Sequence, residues 1–135
     1  MGQCLQKERI QQFIQDTYGT KAEHLWVRYP EFSVFRHPGS RKWYAIMMNV
    51  SKSKLGLDGD QMVDVLNVKC SPVMIGSLRN EKGFLPAYHM NKSTWISILL
   101  NETVPDDTIH PLLDLSYDSV TPKRKKAKKN PEKEV

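Results

Sequence analysis

The chain reads as an α+β domain, a two-layer sandwich in which an antiparallel sheet is covered by helices in the order α-β-β-β-α-β-β-α. Three observations predict this. Ile10, Phe13, Ile14 and Thr17 recur at helical spacing near the start, and Ile109, Leu112, Leu113, Ser116 and Val120 do so near the end. Between them lie aromatic and β-branched runs broken by turn residues. No repeat is visible.

The first helix is expected over residues 3–18, with Leu5 leading in and Gly19 as its stop. "EFSVFR" (31–36) and "KWYAIMMN" (42–49) are strands separated by "HPGSR", whose Pro-Gly pair predicts a tight reversal and hence a hairpin. "VSKSKLGLDGDQM" fits no period and is expected to be a long exposed arm before the strand "VDVLNVK" (63–69). Ser71 then Pro72 is a helix-start pair: a hydroxyl that can accept a backbone N–H, then a residue whose missing N–H costs nothing in the first turn. That helix should run to about Asn80 and stop by Gly83. "WISILL" (95–100) is apolar nearly throughout, as expected for a strand buried on both faces or for a core strand beside a helix layer. In the last helix Pro111 is tolerable if Thr108 is the N-cap, because the proline then stands at the third helical position, where an N–H goes unpaired anyway.

Composition limits what such a domain can be. At 135 residues it holds one core. The net charge of +5 suggests nucleic acid until it is located: residues 121–135 hold seven Lys/Arg and two Glu and account for all of it. Residues 1–120 are balanced and form the domain. Residues 121–135 are expected to be a disordered basic tail, dispensable for folding, because nothing apolar offsets their ordering entropy. No apolar run approaches the roughly 20 residues that cross a bilayer, and "MGQCLQKERIQQF" offers no signal-peptide core, so a cytoplasmic protein without membrane contact is expected. Cys4 and Cys70 have no metal-ligand spacing around them and read as reduced apolar filler.

"VDVLNVKCSPVMIGSLR", then "PAYHMNKSTWISILL", then "VPDDTIHPLLDLSYD", with "FRHPGSRKWYAIMMNVSKSKLGL" upstream, resembles the MmcQ/YjbR family of small bacterial proteins over about residues 5–120. The residues that carry the resemblance are Tyr88, His89, Asn91, Lys92 and Trp95 of "YHMNK..W" and Ser116 and Tyr117 of "SYD". The resemblance implies an α+β fold similar to CyaY (frataxin-like) and secretion-chaperone-like proteins, and a weak double-winged DNA-binding role. Two positions depart from the pattern. Thr94 stands where a histidine is common, which removes a partner for His89 in chemistry or on a metal, and Ser71 stands where an Asp is frequent, which preserves capping.

No catalytic set is visible. His89 could serve as a base and Lys92 as its electrostatic partner, but no nucleophile accompanies them, and the stretch reads first as a structural join in which Tyr88 and Trp95 anchor the strand that follows. The acidic residues are dispersed apart from "DGD" and "DD", the second of which suits the positive end of the last helix, so neither metal nor other cofactor is expected. For nucleic acid the candidates are Arg41 and Lys42 on one hairpin tip and Lys52 and Lys54 on the other arm, with Lys69, Arg79 and Lys92 beside them. The sequence thus predicts a monomeric, non-enzymatic binding domain for which non-specific nucleic acid is the first partner class. A protein-interaction or chaperone-like module using an exposed sheet face is the alternative.

Overall fold

The computed structural model describes residues 5–122. Its elements are α1 (Gln6–Tyr18), β1 (Ser33–Arg36), β2 (Trp43–Ser51), a 3-10 turn (Lys52–Leu55), β3 (Met62–Lys69), α2 (Pro72–Leu78), β4 (Phe84–Pro86), β5 (Trp95–Leu99) and α3 (Asp106–Ser119). The five strands pair antiparallel in the order β1-β2-β3-β5-β4. The predicted α+β order is therefore the observed one. Residues 3 and 4 of the first predicted helix, and residues 123–135 of the predicted tail, lie outside the described residues. Thr121 still donates its hydroxyl to the Tyr117 carbonyl.

The sheet has two different faces. Ile10 and Ile14 of α1, Ile75 of α2 and Ile109, Leu112 and Leu113 of α3 pack on Ala45, Met47, Leu66, Val68, Ile96 and Ile98. The alternate positions, Ile46, Met48, Val50, Val65, Trp95 and Leu99, point the other way into a second apolar cluster with Phe32, Val34 and Ala87. Among the described residues no α-helix covers that second face; loops and the 3-10 turn do. A register shift between Phe35 and Arg36 marks a bulge in the β1–β2 pair. It lets Tyr44 and Ala45 both face the helices while Trp43 turns to the open side. Burial pushes the Tyr44 phenol up to about 12.

Polar latches join the layers. Ser116 of the "SYD" motif accepts from the Lys69 N–H at 2.8 Å and donates to the Tyr44 carbonyl, which ties α3 to β2 and β3. Tyr117 stacks on Tyr18 and lies against His37. Gln6, a polar residue that the helical pattern passes over, is buried and binds the connection before α3: its amide donates to the Val104 carbonyl and to Asp106, and it accepts from the Glu102 N–H. Arg9 donates to Asp106 at 2.8 Å, and this bond holds the Asp106 carboxyl below its usual range.

Four local expectations need correction. α3 starts at Asp106 with Pro105 as its N-cap, not at Thr108, so Pro111 lies inside the helix. The helix accepts it because Pro111 is exposed while Ile109, Leu112 and Leu113 anchor the turns on either side. Thr17, counted in the apolar stripe of α1, is exposed. The reversal at "HPGSR" is not a tight Pro-Gly turn. His37 donates its N–H to the Lys42 carbonyl, its ring Nδ1 accepts from the Gly39 and Ser40 N–H groups, and the left-handed residue is Arg41 (φ 65°). Gly39 sits close against that ring: a Cβ there would stand 3.1 Å from it, a tight contact. Finally, the expected arm after residue 49 is partly regular, because β2 continues to Ser51 and the 3-10 turn follows it. The Ser71–Pro72 start is as predicted, with the Ser71 hydroxyl accepting from the Met74 N–H, although α2 ends at Leu78.

Candidate binding site on the open face of the sheet

The face without helices carries a groove of about 650 Å³, within the range of small-ligand sites. Its floor is Ile46, Met48 and Val50 of β2. One wall is an aromatic chain from the loop before β1: Trp26 meets Trp43 and Phe32 edge to face, and Tyr29 stacks on Phe32. This loop is fixed at its base, where Glu23 pairs with Val34 in an isolated bridge and His24 Nδ1 lies 3.0 Å from the Pro30 carbonyl. Arg36, bonded to Glu23, lies over the Trp43 ring and holds it from behind.

The other wall is the "YHM" stretch, Tyr88, His89 and Met90. Its placement depends on two fully buried polar side chains of the sheet, Asn67 and Ser97. The Tyr88 N–H donates to Ser97 Oγ at 2.9 Å, the Tyr88 carbonyl accepts from Asn67 Nδ2 at 2.9 Å, and Ser97 donates its hydroxyl to Asn67 Oδ1. Both backbone groups of Tyr88 are thus held from below. The next residue, His89, takes a left-handed conformation (φ 61°) that leaves its ring exposed at the groove, a conformation that costs a residue with a Cβ roughly 1–2 kcal/mol.

The family-motif residues divide by role. Tyr88 and His89 line the groove. Trp95 is buried beneath it at the start of β5. Asn91 accepts from the Ser93 N–H and hydroxyl and from the backbone of Trp95 and so shapes the turn. Lys92 is exposed beside that turn. Ser116 and Tyr117 belong to the opposite layer. Trp26, Tyr29, Phe32, Met48 and Met62 also line the groove, and none of them stands out in the sequence. The available signal was the recurrence of Trp26, Tyr29 and Phe32 at every third position in a segment with no helical or strand period.

The candidate phosphate-contacting residues do not share one surface. Strand pairing puts Arg41, Lys42, Lys69 and Lys92 at one end of the sheet. Lys52 and Lys54 stand beyond Ser51 at the other end of β2, roughly 30 Å away at the rise of an extended strand. Arg79 caps α2 in the helix layer. Arg41 also lies 3.8 Å from the Glu23 carboxylate. Among the described residues no three His, Cys, Asp or Glu side chains gather as a metal site needs, and no helix is long and apolar enough to cross a membrane. The Cys70 thiol is half-buried, and burial raises it above its ordinary range.

Known proteins share this architecture. A protein of Bacillus subtilis (strain 168) described as uncharacterized protein YyaQ is 42% identical over 113 residues, covering 84% of this chain and 96% of its own length. A crystal structure of a Pseudomonas syringae protein superimposes with a TM-score of 0.83 at 40% identity, covering 85% of this chain and 98% of that one. A Deinococcus radiodurans protein at 22% identity and a TM-score of 0.66, covering 89% of this chain and 81% of that one, shares the fold. The YjbR family model matches residues 15–119, a span that holds the Ser116 latch and both walls of the groove, and the chain belongs to the YjbR family.

Proposed function

We propose that the domain is a non-enzymatic binding module that takes up an apolar group in the groove on the open face of its sheet. The observation that carries this reading is an apolar, aromatic groove built on a sheet face that the fold leaves without a helix layer. A monomeric domain tends to cover such a surface unless it is used. Exposed apolar side chains continue outward from it: Tyr29 and Met62 at the rim, Leu25 and Val27 on the adjoining loop. The sheet edges are poor docking sites by comparison. β1 is flanked by the Glu23 bridge, and β4 is three residues long and ends in Pro86. Among its described lining residues the basic side chains are Lys54 and His89.

Nile red, a neutral dye that brightens in apolar surroundings, tests the reading. It should bind the wild-type chain, and Tyr29→Asp and Met62→Asp should each weaken binding about tenfold, the equivalent of roughly 1.4 kcal/mol of lost apolar contact. Both side chains are exposed over about half their surface (49% and 58%), so unfolding midpoints should hardly move. Binding that both variants retain in full would remove the groove as the site.

Weak, non-specific nucleic-acid binding is a second reading, favoured by the gathering of Arg41, Lys42, Lys69 and Lys92 at one end of the sheet. A chain ending at Pro122 isolates this cluster from the lysine-rich tail. If it binds duplex DNA, affinity should fall steeply with salt, and Lys42→Ala and Lys92→Ala should weaken it by similar modest amounts on any sequence. No binding at low salt would end this reading and leave the groove untouched.

A further inference from the structure

We infer that the ligand of the groove is an anionic amphiphile, a long-chain carboxylate whose head meets Lys54 and whose chain lies along β2 toward Trp26 and Trp43. This rests on the groove being the binding site and adds the ligand's chemistry. Three features select it.

The first is hydrogen bonding. The floor lies on the face of a sheet whose strands are paired on both sides of β2, so their backbone groups are already engaged. Asn67, the one amide side chain beneath the "YHM" wall, is occupied by Tyr88 and Ser97. An extended peptide laid along the Ile46–Val50 floor would bury most of its own N–H and C=O groups without partners, since besides the engaged Asn49 and Asn67 the lining offers few polar side chains, among them Ser51, Lys54 and His89. A hydrocarbon chain has none to satisfy.

The second is shape. Residues of β2 from Trp43 to Ser51 line the groove, a run of roughly 25 Å at the strand rise. Such a length suits a chain better than a compact ring system. Met48, Met62 and Met90, which also line it, are unbranched side chains that adjust to a flexible chain.

The third is charge. Among the described residues no Asp or Glu lines the groove. Lys54 stands on the 3-10 turn just past the end of β2, exposed and without an ion pair among the described residues. It is therefore placed to receive an anionic head at one end. His89 sits in the other half, on the stretch pinned over Asn67, which pairs with Ile46 in the sheet.

The test uses the full chain and three amphiphiles with one tail, dodecanoate, dodecanol and dodecyltrimethylammonium, each below its micellar concentration. Two of the three tryptophans line the groove, so intrinsic fluorescence reports occupancy. Dodecanoate should bind at least about tenfold more tightly than the trimethylammonium compound, as expected for one well-placed charge in a partly desolvated site. Lys54→Glu should reverse that order while Lys82→Glu, the same charge change at an exposed position outside the groove, preserves it. The basic tail is present in every variant, so the effect of Lys54 is read against a constant background. If the three bind equally and Lys54→Glu changes nothing, the anionic head is wrong although the groove stands. If none binds but an apolar helical peptide does, the ligand is a protein segment and the inference falls. If neither these nor Nile red binds, the groove reading itself has failed.

Discussion

Replacing Trp95 by alanine is expected to lower stability by about 3–5 kcal/mol, the range for removing a large aromatic from a packed site. Trp95 is only 7% exposed and opens β5 opposite Lys69. Its ring belongs to the open-face cluster with Val65, Ala87 and Leu99, while the backbone N–H of Trp95 donates to the Asn91 carbonyl at 3.0 Å. Among the described residues no α-helix stands above this face to settle into the space, so the cavity would lie under the loop that carries the groove wall. Lys92→Ala, three residues earlier at an exposed position, should change stability by less than about 0.5 kcal/mol. Urea unfolding of both variants with unchanged slope separates them. A loss below about 1 kcal/mol for Trp95→Ala would mean that the ring is not part of a cooperative core.

Trp95 also illustrates how far the sequence reaches. The strand "WISILL" was legible because a run apolar at all but one position fits a strand covered on both sides, and all of β5 is buried. The hairpin, the Ser71–Pro72 helix start and the closing helix were legible for similar local reasons. The groove was not. Its floor residues Ile46, Met48 and Val50 look in the sequence like the same buried strand as Ala45 and Met47, and only the pairing shows which set faces helices and which faces loops. Its aromatic wall comes from residues 26–32, whose irregular backbone has no period to read. Charge misleads in the opposite way. Arg41 and Lys54 look equivalent on two turns of the chain, yet β2 holds those turns at opposite ends of the sheet.

Asn67→Leu is expected to cost about 2–4 kcal/mol, although the two side chains are close in size. The substitution leaves two buried groups without their partner, the Tyr88 carbonyl and the Ser97 hydroxyl, each worth about 1–3 kcal/mol when unsatisfied. The greater apolarity of leucine offsets only part of that loss. The cost should depend on Ser97. With Ser97→Ala already in place, one of the stranded groups is gone, so Asn67→Leu should cost less than it does alone, by a coupling between about 0.5 and 3 kcal/mol. The same change has a functional consequence. Tyr88 is held at both its N–H and its carbonyl, and this clamp keeps His89 left-handed and Met90 at the groove. Once Asn67 no longer holds the carbonyl, His89 can relax to an ordinary conformation and the wall drifts from the floor. Nile red binding should therefore drop in Asn67→Leu at temperatures where the variant is still fully folded, and exchange of the nearby backbone amides should quicken there first. Additive losses in the double variant, or dye binding unchanged in the folded single variant, would show that Asn67 serves the core alone and that the groove wall is held by other contacts.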